Sequence, residues 1–217
     1  MTDGRSGTSD LFQAIYTQRA IRRWRSDPVP DDLLWRIVEA ATKAPSGSNS
    51  QPWRFLVVRD AGTRRKIAAA LIAAVGSDSP IAKYFEEGSR SEDRSTRLML
   101  TGALNILQDL DRAPVFVLPC LYTGDAPPSD RLRTGSSIYG AIQNLLLAAR
   151  GLGVGGVLTT FDTYIQPQLR ALLGIPENAQ TAALVLLGLP DANFGPTRRR
   201  PVQEVTYWDR WDQVRPR

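Results

Sequence analysis

The chain has 217 residues, 42% hydrophobic and 23% charged; at roughly 150 residues per domain this favours a single domain, with a sizeable core and too much apolar content for a disordered chain. The basic residues outnumber the acidic ones 27 to 22, for a net charge of +5. Since 24 of the 27 are arginine, the charge is weak support for a nucleic-acid-binding module, which remains a remote alternative. The lack of any histidine excludes Ser-His-Asp and Cys-His catalysis and every His-bearing zinc motif.

Thr8, Ser9 and Asp10 offer N-caps to a first helix with Leu11, Ile15 and Gln18 on one face and Phe12, Tyr16 and Arg19 on another, ending in the basic cluster Arg19 to Arg25. Met1 to Asp10 has no apolar stretch of the kind a secretory signal needs, so a cytoplasmic location is expected. Asp27-Pro28-Val29-Pro30 breaks the pattern, and a second helix begins at Pro30-Asp31-Asp32, with Leu34, Ile37, Val38 and Ala41 at helical spacing and Pro45 as its stop. Beyond the polar loop Ser46 to Gln51, Trp53 to Arg59 reads as a strand, and a third helix runs from about Thr63 to Val75.

Gly76 to Asp111 is the least decided stretch, helical in character from Pro80 to Phe85 and from Asp93 to Leu110. Pro114 to Tyr122 is apolar on both faces, as a central strand should be, and Thr123 to Asp130 is a Gly/Pro loop. Even this longest apolar run is far short of the roughly 20 residues of a membrane-spanning helix. Cys120 lies in the same run, as a buried small hydrophobe. Ser136 or Ser137 can cap a helix through Arg150 that is apolar nearly all round, so it is expected in the core or between subunits. Leu169 to Leu173 closes a further helix at Gly174, Ala182 to Leu189 is a third strand, and Asp191 to Arg217 is a proline-interrupted tail.

Gly151-Leu152-Gly153-Val154-Gly155-Gly156 matches G-x-G-x-x-G. A dinucleotide site needs strand, glycine turn, then helix, whereas here a helix precedes the glycines and the β-like stretch Val157 to Thr160 follows, so the favoured reading is a left-handed helix end with tight packing. The cluster Gln18 to Trp24 reads alone as a solvated helix end, but Thr197 to Pro201 is also arginine-rich, and the two can converge on one phosphate. The loop Ala44 to Trp53 is dense in hydroxyls and amides suited to a ligand with many heteroatoms.

Taken in order, Q-R-A-I-R-R-W-R-S-D-P-V-P, A-P-S-G-S-N-S-Q-P-W-R-F-L-V-V, G-S-S-I-Y-G-A-I-Q-N-L-L-L-A-A-R-G-L-G and R-R-R-P resemble the FMN-dependent nitroreductase family over about residues 11–205. The resemblance implies an α+β fold with a mostly antiparallel central sheet flanked by helices. It also implies an intertwined homodimer with two FMN sites at its interface. One domain then spans residues 1–217, its tail from about 191 embracing the partner subunit and covering Tyr207, Trp208 and Trp211.

By position, Gln18, Arg19, Ala20, Ile21 and Arg22 match the family's first flavin-binding segment, and Pro45, Ser46, Gly47, Asn49 and Gln51 match the loop that reaches flavin from the partner. Leu158, Thr159 and Thr160 fall where the family contacts the ring, and Arg199 where it holds the phosphate. Gln18 and Ala20 replace the Arg and the Ser or Thr usual in the family, with Arg23, Arg198 and Arg200 nearby to compensate. The implied function is an oxidoreductase, with NADH or NADPH as electron donor and a nitroaromatic, quinone or similar small planar acceptor served in turn. Reductive dehalogenation, flavin breakdown or dehydrogenation of a dedicated substrate is the alternative within the same fold. Flavin N5 carries the chemistry, so no catalytic side chain, metal, nucleic acid or membrane is required, and Arg22 supplies positive charge at the flavin's pyrimidine edge.

Overall fold

The computed structural model describes residues 10–76, 79–122 and 131–215. The caps expected at Thr8 and Ser9 and the loop Thr123 to Asp130 lie outside these residues. Along the chain run α1 (Leu11–Thr17), α2 (Asp31–Ala41), β1 (Trp53–Val58), α3 (Ala61–Ala74), α4 (Pro80–Ser89), α5 (Arg94–Gln108) and β2 (Val115–Tyr122). They are followed by α6 (Arg131–Gly151), β3 (Gly155–Thr159), α7 (Gln166–Leu173), β4 (Ala179–Thr181) and β5 (Leu184–Gly188).

The strands form one sheet in the order β1-β2-β5-β3, with β4 also against β2, and every pairing is antiparallel. Registers such as Leu56 opposite Leu118 and Val157 opposite Leu186 place apolar pairs across the ladders. Alternation along β2 divides the interior in two. Val115 and Val117 pack with Leu34 and Ile37 of α2 and Ile138, Ile142 and Leu145 of α6, whereas Phe116, Leu118 and Cys120 pack with Ile67 and Leu71 of α3 and Leu169 of α7. Helices therefore cover both faces of an antiparallel sheet, the expected α+β arrangement.

The undecided stretch resolves into α4 and α5, whose first turns are capped by Ser79 on the Ala82 amide and Asp93 on the Thr96 amide. Their small core of Phe85, Leu100 and Leu107 is closed by Phe161, whose ring lies 6.0 Å from that of Phe85. Helix α3 starts two residues before its expected position because Asp60 accepts the Thr63 amide at 2.7 Å. Strand β4 escaped prediction, since Ala-Gln-Thr carries little β pattern. Helix α6 begins at Arg131 instead of Ser136 or Ser137, and its inner face, Ile138, Ala141, Ile142, Leu145 and Ala149, is buried while Tyr139 and Gln143 are exposed.

The glycine run behaves as a helix end followed by a strand. Gly153 adopts φ +76° directly after α6, and Gly155 stands where a Cβ would come within 2.7 Å of the Ile21 side chain.

Candidate functional site

The first correction concerns the basic cluster. Helix α1 stops at Thr17, and Gln18 is extended, so Gln18 and Arg19 are not on a helix face and the cluster is not a helix end. The backbone groups that would continue the helix are used elsewhere, the Tyr16 carbonyl by the Thr197 amide and the Ile21 amide by Gly156, while the Thr17 hydroxyl donates to the Gln13 carbonyl at 2.5 Å and accepts from Arg150 Nε at 2.9 Å. The chain then crosses the ends of β3 and β5. The Ile21 amide donates to the Gly156 carbonyl at 3.1 Å, the Arg25 amide to Leu189 and the Asp191 amide to Arg23. Ile21 is thereby buried, while Arg19 remains exposed and Arg22 is half-buried.

The other arginine cluster is brought to the same place by two ties. The Thr197 amide donates to the Tyr16 carbonyl at 3.0 Å, and the Arg150 guanidinium lies 4.1 Å from the centre of the Phe194 ring. Between the two segments lies a cavity of ≈ 760 Å³, lined by Arg19, Ala20 and Arg22 on one side and by Pro196, Thr197, Arg198 and Arg199 on another. Helix α5 supplies the third wall through Asp93, Arg94, Ser95, Leu98 and Met99. The convergence of the two clusters, open from the sequence alone, is thus present in the fold.

Arg22 is the least ordinary of these groups. Its Nε is buried without a hydrogen-bond partner, and burial, helped by the nearby charge of Arg19, pulls its pKa below the usual arginine range. Its side chain lies against Gly102 of α5, where a Cβ would come within 3.2 Å of Nη1. An unpartnered, partly desolvated guanidinium beside a cavity fits a ligand with an acceptor-rich edge, and Arg19, Arg198 and Arg199 fit a phosphate. Asp93, the carboxylate on this lining, is held below the usual carboxylate range by the Thr96 amide it caps.

The remaining predicted residues lie elsewhere. Gln18 and Ile21 flank the lining without joining it. Pro45, Ser46, Gly47, Asn49 and Gln51 also stand apart from the cavity, on a largely exposed loop. The Ser46 hydroxyl accepts the Gln51 amide at 3.0 Å, and the Ser137 hydroxyl accepts the Gly47 amide at 3.4 Å. Ser48, Asn49 and Gln51 have φ of 52°, 52° and 46°, a left-handed region that costs L-residues roughly 1–2 kcal/mol each. Leu158 packs on the core, Thr159 donates its hydroxyl to the Leu184 carbonyl, and Thr160 is exposed. The resemblance puts a substrate cover that varies across the family at Gly76 to Arg112, which contains this α5 wall; the sequence did not show which cover residues would face a cavity, and the spacing of Arg94 with Leu98 and of Ser95 with Met99 was the available signal.

Asp162, just after Thr160, is buried and accepts from Thr181 Oγ1 at 2.5 Å and Gln166 Nε2 at 3.1 Å, while its Oδ1 has no partner. Burial raises its pKa despite these donors. The folded state holds this proton more tightly than the unfolded chain does. Stability from this group is therefore greatest below the ordinary carboxylate range and is lost as pH rises through the raised value. Asp162→Asn should remove that slope, so urea midpoints for variant and parent, compared at about pH 5 and about pH 8, should move in the variant's favour at the higher pH. A constant difference would show that Asp162 titrates as it does in the unfolded chain. Cys120, buried in the same core, has its pKa pushed up to about 11, chiefly by burial, and is an inert thiol at neutral pH.

Among the described residues there is no group of three His, Cys, Asp or Glu able to hold a metal, and no helix long and apolar enough to cross a membrane. Comparison with known proteins decides the kinship. The nitroreductase family model matches residues 15–189. The chain belongs to the nitroreductase family. A Thermus thermophilus relative named NADH dehydrogenase is 32% identical, over 92% of this chain and 96% of its own length. Iodotyrosine deiodinase 1 of Rattus norvegicus is 26% identical, over 93% of this chain and 70% of its own. A solved Desulfovibrio desulfuricans structure in complex with FMN superposes with a TM-score of 0.62 at 27% identity, covering 94% of this chain and 98% of its own. Kinship to the nitroreductase family accounts for the antiparallel sheet between helices and places the chain among oxidoreductases.

Proposed function

We propose that this chain is an FMN-dependent NAD(P)H oxidoreductase that reduces nitroaromatics, quinones or similar planar acceptors. The observation that carries the reading is the meeting of Arg19, Arg22, Arg198 and Arg199 around one cavity, with Arg22 Nε buried and unpartnered. Bound FMN supplies hydride acceptance and donation at N5. Arg19, Arg198 and Arg199 hold its phosphate, a group of about −1.5 to −2 charge near neutral pH. Arg22 serves the pyrimidine edge, where a fixed positive charge favours the reduced, more negative form. With its hydroxyl committed to Leu184, Thr159 approaches the ring only through its backbone, alongside Leu158 and Thr160. Pro45, Ser46, Gly47, Asn49 and Gln51, on a largely exposed loop outside their own chain's cavity, are assigned to the flavin of a partner subunit. The functional unit is accordingly a homodimer of single-domain chains.

A second reading, an FMN enzyme with one dedicated substrate, is favoured by the likeness to iodotyrosine deiodinase. An absorption spectrum followed by anaerobic titration with NADH and NADPH tests the first. Flavin bands that bleach with either nucleotide, and parallel double-reciprocal lines for donor and nitroaromatic acceptor, are expected. Missing flavin bands would remove FMN dependence, and intersecting lines would remove the alternation of donor and acceptor in one site. Bands that bleach without turnover of simple acceptors would favour the dedicated substrate.

A further inference from the structure

The cavity holds more positive charge than the cofactor assigned to it uses. Arg19, Arg22, Arg94, Arg198 and Arg199 line it, with Asp93 as the carboxylate on the lining. Asp93, which accepts the Thr96 amide at 2.6 Å, keeps its negative charge, so the lining is positive by four. An FMN phosphate of about −1.5 to −2 therefore leaves about two positive charges in excess. Arg22 accounts for one at the ring edge. The other falls to Arg94, which belongs to α5 and to neither flavin-binding segment.

The neighbours of Arg94 on the α4–α5 cover make the point sharper. Arg90 pairs with Glu86 at 2.6 Å, Arg97 donates to the Ser91 and Glu92 carbonyls, and Arg112 pairs with Asp109 at 3.2 Å. Among the cover's arginines in the described residues, only the Arg94 side chain has no hydrogen bond or ion pair, and it alone lines the cavity. One turn further along the same wall, Leu98 and Met99 are 57% and 53% exposed. A free guanidinium beside an apolar shelf matches a flat apolar body with an anionic end.

We propose that Arg94 is a specificity-determining residue that binds an anionic group on the reactant sharing the cavity with FMN, while Leu98 and Met99 support its planar part. The inference rests on the FMN reading above. Two reactants can present such a group: an aromatic acceptor bearing a carboxylate, or NADPH through its 2′-phosphate.

The test uses the FMN-loaded full-length protein and its Arg94→Ala and Arg94→Lys forms. KM is measured for 4-nitrobenzoate against nitrobenzene, and for NADPH against NADH, at low and high KCl. In Arg94→Ala the KM ratio between charged and neutral partner should move about threefold to tenfold against the charged one, the range for a partly solvated charge-assisted pair. Arg94→Lys should restore most of it, and added salt should erode the parent's preference but not the alanine form's. A change in the acceptor pair assigns the anion to a carboxylate, and one in the nucleotide pair to the 2′-phosphate. Unmoved ratios in both pairs would overturn the proposal. So would a tenfold weaker FMN in Arg94→Ala, which would place Arg94 on the cofactor's own phosphate. A parent protein that takes up no FMN would instead overturn the function from which the proposal starts.

Discussion

Ending the chain at Pro201 is expected to give a monomer that no longer retains flavin. The removed segment carries large apolar side chains open to water, with Trp208 47% and Trp211 80% exposed, and Val202, Val205 and Val214 beside them. Helix α1 shows Leu11, Phe12, Ile15 and Tyr16 in the same condition, and Trp35 of α2 is 75% exposed. Apolar surface of that extent marks an interaction site. Each tryptophan covered by a partner removes on the order of 100 Å² of apolar area from water, or about 2.5 kcal/mol before the entropy of ordering is subtracted. Light scattering should therefore show the full-length chain at twice 23.9 kDa and the shortened one near half the dimer's mass, with helical circular dichroism preserved. Flavin should be lost on gel filtration, because a monomer would be without the Pro45 to Gln51 loop that the proposed dimer supplies from its partner. A dimer that survives the deletion would show that the tail is not the clasp, and a full-length monomer that keeps its flavin would remove the shared site altogether.

The second large effect is expected at the phosphate end of the cavity. Arg199→Ala should weaken FMN about tenfold to a hundredfold, corresponding to about 1.5 to 3 kcal/mol for a hydrogen bond to a charged group. Simple alternation along an extended chain would turn Arg198 and Arg200 both away from a phosphate held by Arg199. The fold instead puts Arg198 on the lining beside Arg199 and leaves Arg200 off it. Arg198→Ala should thus cost a comparable factor and Arg200→Ala less than about twofold, as read by quenching of FMN fluorescence on titrating flavin-free protein. Equal losses at all three positions would reduce the run to diffuse charge.

What could be read in the sequence follows from how local each cause is. β2 announced itself because burial on both faces makes every position apolar, and α2 did so through the spacing of Leu34, Ile37 and Ala41. The end of α1 was misread because the backbone groups that would extend it find distant partners, the Tyr16 carbonyl in the Thr197 amide and the Ile21 amide in the Gly156 carbonyl. Nothing in Tyr16-Thr17-Gln18 reports those bonds. The candidate site divides in the same way: Arg19, Ala20, Arg22 and Arg199, singled out by local motifs, line one cavity, but the α5 wall depends on how two amphipathic helices dock. Their apolar faces fix that they pack, not which residues turn toward a cavity. Ser137 shows a further limit, since its hydroxyl, expected to cap a helix, accepts the Gly47 amide of the polar loop instead.

The contact between Gly102 and Arg22 joins the α5 wall to the charge proposed for the flavin ring. Helix α5 carries the wall proposed to sort reactants, and the same helix offers Arg22 a glycine where even a methyl group would press on its side chain at 3.2 to 3.3 Å. Any sequence drift that shifts or rotates α5 to admit a new reactant thereby displaces a charge assigned to the cofactor's ring. Reactant choice and redox potential are on this account mechanically coupled, with Gly102 as the spacer that joins them.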